Sequence, residues 1–177
     1  FGFEESYGYL AGTHVRDKDA VVASMLICEM ARDYKARGMD LVDALEALYR
    51  EHGFYRNRTI SIAYPGAQGA AQMKAIMAGL RAQAPTQVAG LAVEKVVDYA
   101  PGVAMPVLGG TCDASAQTLP PANVFELQLA GGNKLIVRPS GTEPKIKAYV
   151  FAKAPTAQES EELAAALEAG SRELLKA

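Results

Sequence analysis

From Asp19 to Arg37 the apolar residues fall at helical spacing. Val21, Met25, Leu26, Cys28, Met30 and Tyr34 wrap so much of the circumference over 20–31 that the pattern predicts a buried helix. Asp17 or Asp19 supplies an N-cap, and Gly38 stands where a left-handed C-cap belongs. A second helix is predicted over 41–52, with Asp40 as N-cap, Leu41, Leu45, Leu48 and Tyr49 on one face, and Gly53 as the stop. The short link 38–40 favours packing of the two helices as a pair.

After Gly53 the period changes. Residues 54–58 are polar and basic in character, and 59–64 then alternate as a strand does, so a domain boundary is placed at about residue 57. A helix is predicted over 71–83, with Met73, Ile76, Met77 and Leu80 on one face. Strands follow over 91–99, 124–129, 134–138 and 146–153, with Gly131-Gly132-Asn133 as a hairpin turn. Between the first two of these lies a connection, 100–123, holding four prolines and three glycines. Thr156 with Glu159 forms a capping box for a last helix, whose buried stripe is predicted as Leu163, Ala166, Leu167, Leu174 and Leu175. The order β-α-β-β-β-β-α predicts an α+β fold. It has an N-terminal helical part over 1–57 and, over 58–177, a largely antiparallel sheet with helices on one face.

Composition narrows the function classes. Eighteen basic against twenty acidic residues leave no cationic excess for duplex nucleic acid. The longest apolar run, 20–28, is interrupted by Ser24 and too short to span a bilayer. Two cysteines, Cys28 and Cys112, make no disulfide framework, and Cys28 is expected in the core. A soluble, cytoplasmic globular chain is expected, with neither nucleic acid nor membrane as partner. The opening Phe1-Gly2-Phe3-Glu4-Glu5-Ser6 reads as an interior loop, which suggests an excised segment of a longer protein.

Two loops carry the chemistry. In 138–147, Gly141 lets the backbone turn so that N–H groups converge on one anion. Ser140 and Thr142 add hydroxyls, Arg138 is able to fork onto two phosphate oxygens, and Lys147 follows on the next strand. The competing reading is a hydrophilic turn punctuated by two prolines. In the opening loop, Glu4 and Ser6 flank Glu5 and suit a polyhydroxyl ligand, paired carboxylate catalysis or simple solvation. Asp17 and Asp19 are better read as helix caps than as Mg²⁺ ligands, since a hard cation needs more oxygens. Lys18, between them, is placed to face a ligand over the opening loop. His14 and His52 lack zinc-ligand spacing, and no metal site is predicted. Arg56 and Arg58 read as solvated surface.

The segments FGFEES, VRDKDA and RPSGTEPKIKAY, in this order and spacing, resemble the C-terminal portion of the α-D-phosphohexomutases, the phosphoglucomutase/phosphomannomutase family. The match is closest to the bacterial phosphoglucomutase-like branch. The resemblance implies four domains around a cleft, of which 1–57 is the end of domain 3 and 58–177 is domain 4. It implies that Glu4 and Ser6 contact sugar hydroxyls, that Arg138, Ser140, Gly141 and Thr142 hold the substrate phosphate, and that Lys18 and Lys147 are further basic contacts. The reaction it implies is an intramolecular phosphotransfer between hexose 1-phosphate and hexose 6-phosphate, glucose preferred. It runs through a phosphoserine enzyme and a hexose 1,6-bisphosphate intermediate, with Mg²⁺ as cofactor. The serine loop and the D-x-D-x-D-R metal loop belong to the family's N-terminal domains, and neither pattern occurs here. No catalytic residue is therefore expected in this chain, which would recognise a phosphosugar in concert with those domains. Tyr7-Gly8-Tyr9 stands where many members carry a His, leaving glucose, mannose and pentose phosphates open.

Overall fold

Side chains alternate without a break along the strand Lys145–Ala154, β8, whose even-numbered residues are buried and whose odd-numbered ones are partly open. This strand organises the larger of two compact units in the computed structural model, Gly53–Ala177; the other is Phe1–His52. The structure describes residues 1–4, 7–100 and 120–176.

In Phe1–His52, two short strands, β1 (Gly2–Phe3) and β2 (Tyr9–Leu10), pair antiparallel ahead of two helices, α1 (Ala20–Ala36) and α2 (Leu41–His52). Asp19 caps α1 by accepting from the N–H groups of Val21 and Val22, and Gly38 takes the left-handed φ of +75°. Asp40 caps α2 in the same way, accepting from Val42 and Asp43. The expectation of a buried α1 is not met. It has no buried residue, and Val21 and Met25 are 72% and 61% exposed. Within its unit it meets only α2 and the short ribbon, too little surface to cover a helix that is apolar on most sides. Cys28 is exposed with it and is not a core residue. Of α2's apolar face, only Ala44 is fully buried.

In Gly53–Ala177, six strands form one antiparallel sheet. They are β3 (Phe54–Ala63), β4 (Gln87–Val88), β5 (Leu91–Asp98), β6 (Phe125–Leu129), β7 (Asn133–Pro139) and β8, in spatial order β3-β8-β7-β6-β5-β4. Helices α3 (Gly69–Ala82) and α4 (Ala157–Leu174) pack on the same face, where Met73, Met77, Leu80, Ala164 and Leu167 join Ile60, Val96, Phe125, Leu127, Val137 and Ala148 in one core. The α+β class with helices on one face of an antiparallel sheet is thus observed. Two consecutive polar residues, Glu94 and Lys95, break the alternation of β5, and the register shifts there as a bulge.

Several elements depart from the pattern read along the chain. β3 starts at Phe54 rather than Thr59, and pairs with β8 through all its ten residues. Its first half hides its alternation because Arg56 and Arg58 lie on the helix-bearing face. Both reach Glu161 of α4, and Arg58 Nη1 also donates to Glu168 at 2.8 Å. These arginines tie sheet to helix, contrary to the solvated reading. In α4 the predicted Leu163, Leu167, Leu174 and Leu175 do pack on the core, but the fully buried line also takes in Ser160, Ala164 and Ser171, while Ala166 is exposed. The two serines fit because their hydroxyls donate to the carbonyls of Ala157 and Leu167. Arg81 of α3 donates to Asp98 at 2.9 Å and to Asn123 at 2.7 Å, holding both ends of the 100–123 connection. No helix among the described residues is long and apolar enough to cross a membrane.

The register of the β6–β7–β8 meander is pinned at its turn. Gly131 and Gly132 adopt φ of +76° and +78°, which an L side chain rarely does. Buried Asn133 donates to the carbonyl of Ala130 at 2.7 Å and accepts from the Lys153 N–H at 2.8 Å, locking the turn to β8. Asn133→Ala leaves that N–H without its partner and is expected to cost about 1–3 kcal/mol, read as a lowered denaturant midpoint with unchanged slope. A melting temperature equal to wild type would refute the lock. Acid should act on the sheet–helix tie. Hydrogen bonds from Arg58 and then Arg172 hold the Glu168 carboxyl below the usual glutamate range. A depressed folded-state pKa gives stability that is present above the ordinary value, roughly pH 4.3, and lost as pH falls through the folded value. Thermal melts from pH 7 to 3 are expected to fall more steeply below pH 4.5 for wild type than for Glu168→Gln.

Candidate functional site

The loop 140–144 closes the β7–β8 hairpin and is built from its own polar groups. The Ser140 N–H donates to the Lys145 carbonyl at 2.8 Å, and the Ser140 hydroxyl oxygen accepts from the N–H groups of Thr142 and Glu143 at 3.4 and 3.3 Å. Those two N–H groups point inward at Ser140, so the loop presents hydroxyls and side-chain cations rather than a ring of free amides. Gly141 does not use the left-handed region, but a Cβ built there would meet nothing within 4 Å. The base of the loop is gripped from β3 and α3. The Tyr64 N–H donates to the Pro144 carbonyl at 2.8 Å, and a Cβ on Gly69 would lie 1.8 Å from the Tyr64 carbonyl oxygen and 3.3 Å from Pro144. Only glycine lets α3 start against this turn. The Tyr64 hydroxyl in turn donates to the Leu175 carbonyl at 2.7 Å, and burial pushes its pKa up.

Arg138 and Lys147 are direct cross-strand partners in the β7–β8 ladder. They share the sheet face away from the helices, with Arg138 exposed and Lys147 half-buried. Like charges placed opposite each other on a sheet repel. Arg138 has no hydrogen bond or ion pair among the described residues. The nearby carboxylate, Glu143, is ion-paired with Lys145, and that contact, with a smaller contribution from the Lys147 charge, holds its pKa below the usual range. The result is a pair of opposed cations beside an open loop, Arg138 without an ionic partner among the described residues and Lys147 only partly offset by Glu143. Arg138, Ser140, Gly141, Thr142 and Lys147 are therefore brought together in one place.

The opening segment forms a second cluster in its own unit. The β1–β2 ribbon turns back through Tyr7, whose φ is +65°, and the Glu4 N–H donates to the Gly8 carbonyl at 2.8 Å. Lys18 lies across this turn and donates to Glu4 Oε2 at 3.2 Å. Gly8 makes the room, since a Cβ there would stand 2.3 Å from Lys18 Cδ. Glu4 and Lys18 thus meet, while Ser6, with Glu5 and Cys112, lies outside the described residues. Asp19 is occupied as the α1 cap, and Asp17 Oδ1 accepts from the Lys18 N–H at 2.7 Å. Among the described residues no group of three or more His, Cys, Asp or Glu is placed to hold a metal ion. The Asp17/Asp19 pair, both carboxylates engaged with backbone N–H groups, does not fit Mg²⁺.

Comparison with known proteins follows these two clusters. The family model for the phosphoglucomutase/phosphomannomutase C-terminal domain matches residues 67–169, and that for the family's alpha/beta/alpha domain III matches residues 1–52. The chain belongs to the phosphoglucomutase/phosphomannomutase family. A phosphoglucomutase of Staphylococcus epidermidis is 40% identical over 150 residues, which is 85% of this chain and 27% of the relative. That of Staphylococcus haemolyticus is 41% identical over the same shares. The chain therefore spans about 27% of the length of these relatives. Among solved structures, the open form of pp63/parafusin, an exocytosis-sensitive phosphoprotein and phosphoglucomutase from Paramecium, matches with a TM-score of 0.63 at 15% identity. It covers 97% of this chain and 29% of that one, a likeness of fold.

Sequence reasoning missed Ser61, which is register partner to Lys147, and the Glu143–Lys145 ion pair. The alternation over 59–64 already put Ser61 on the outer face. Only the strand order shows which cations it joins.

Proposed function

We propose that this chain is the sugar- and phosphate-recognition part of a phosphohexomutase that interconverts hexose 1-phosphate and hexose 6-phosphate, with glucose as the preferred sugar. On this reading residues 1–57 end the third domain and residues 58–177 are the C-terminal domain. The observation that carries it is the Arg138–Lys147 pair beside the 140–144 loop, in a chain of this family. Arg138 forks onto the phosphate that is not reacting, Lys147 shares its charge, and the Ser140 and Thr142 hydroxyls donate to its remaining oxygens. Glu4, Ser6 and Lys18 take the sugar hydroxyls.

Binding energy gained at the distant phosphate and the sugar positions the reacting end, which is how recognition far from the chemistry raises its rate. The phosphoserine that exchanges phosphate through hexose 1,6-bisphosphate, and the Mg²⁺ that supports transfer, belong to sequence patterns absent from these 177 residues. The chain alone is then inactive. A second reading, a self-contained phosphosugar- or anion-binding module, is favoured by the larger unit's own continuous core.

Two measurements on the 177-residue chain test this. Conversion of glucose 1-phosphate to glucose 6-phosphate should be undetectable in material free of host enzyme, and turnover would contradict a recognition-only role. In calorimetric titration with glucose 6-phosphate, Arg138→Ala should weaken binding about 10- to 100-fold, the worth of a charged hydrogen-bond partner. Its melting temperature should stay at the wild-type value because Arg138 is exposed. Equal affinity in the two proteins would overturn the assignment.

A further inference from the structure

The sheet register brings a third residue into line with the cationic pair. β8 lies between β7 and β3, and Lys147 faces Arg138 on one side and Ser61 on the other. Directly opposed residues share a face with Cβ atoms about 4.5–5.5 Å apart. Ser61, Lys147 and Arg138 are therefore one row across three strands. The adjacent row, Ile60, Ala148 and Val137, is buried in the core, which places the Ser61 row on the opposite face. Ser61 is exposed and makes no side-chain hydrogen bond among the described residues.

The row is unbalanced as it stands. Two cations oppose each other, Glu143 is ion-paired with Lys145 and offsets Lys147 only in part, and a small hydroxyl completes the line on the edge strand. A residue of this size leaves the space above Lys147 open and supplies a donor without a competing charge.

We propose that Ser61 is a phosphate-binding residue, its hydroxyl donating to the same anion that Arg138 and Lys147 hold. The site then extends from the hairpin loop across the sheet face to β3. This rests on the reading of 138–147 as the phosphate site and adds a contact from an element outside that motif. The chemistry recognised is a tetrahedral phosphate dianion, which a phosphosugar and inorganic phosphate both present.

The test titrates the 177-residue chain separately with inorganic phosphate and with glucose 6-phosphate, in wild type, Ser61→Ala, Ser61→Thr and Arg138→Ala. Loss of one hydrogen bond to a charged acceptor predicts that Ser61→Ala weakens both ligands about 10-fold or more, with an unchanged melting temperature. Ser61→Thr, which keeps the hydroxyl, should bind within about twofold of wild type. Wild-type affinity in Ser61→Ala, with binding lost in Arg138→Ala, overturns the role of Ser61 and leaves the phosphate site standing. No effect of Arg138→Ala overturns the phosphate site and this inference together. Weakening of glucose 6-phosphate alone assigns Ser61 to the sugar and overturns its assignment to phosphate.

Discussion

The larger unit depends on the register of β8, which pairs with β3 along its full length and with β7 up to the hairpin loop. Side chains on a strand alternate with a period of two, so one register decides both faces at once. Ile146, Ala148, Val150 and Ala152 are buried against the helices, and the same choice turns Lys145, Lys147, Tyr149 and Phe151 to the other side. A slip of one residue would bury Lys147 and expose the core. The placement of Lys147 opposite Arg138 is thus a consequence of the packing that folds the unit. Asn133 and the two left-handed glycines hold this register at one end of the hairpin, and the Tyr64–Pro144 hydrogen bond holds it at the other.

The second layer follows from the first. Arg56 and Arg58 leave the sheet on the helix-bearing side, where a bare cation would be unfavourable, and α4 answers with Glu161 and Glu168. Arg172 joins Glu168 from the next turn, making a small network whose charges are mutually compensated. Charges on the outer face have no such partners near Arg138. The contrast separates ionic groups spent on structure from those left available to a ligand.

Much of this was legible in the chain. Thr156 caps α4 by accepting from the Glu159 N–H while its hydroxyl donates to the Glu159 carboxylate, Asp19 and Asp40 cap their helices, and Gly131-Gly132 makes the turn. Those signals are local, and local chemistry decides them. The start of β3 was hidden because its arginines occupy positions where alternation calls for apolar residues. The α4 stripe holds for Leu163, Leu167, Leu174 and Leu175 and fails at Ala166, and it omits Ser160 and Ser171, whose hydroxyls bond to their own helix so that they pass for polar surface. An apolar circumference predicts burial of α1, but burial depends on what is there to cover it. In the site, the side chains of 138–147 could be named in advance. Ser61 could not, since its neighbours are set by strand order, and Gly141 takes no left-handed φ and has open space where a Cβ would stand.

The most direct measurement is an amide chemical-shift titration of the isotopically labelled chain with inorganic phosphate. The account predicts saturable shifts concentrated in 138–147 and around Ser61, weakening as salt screens the cationic pair. Shifts that are absent, or that centre on the Arg56–Arg58 and α4 surface instead, would contradict it.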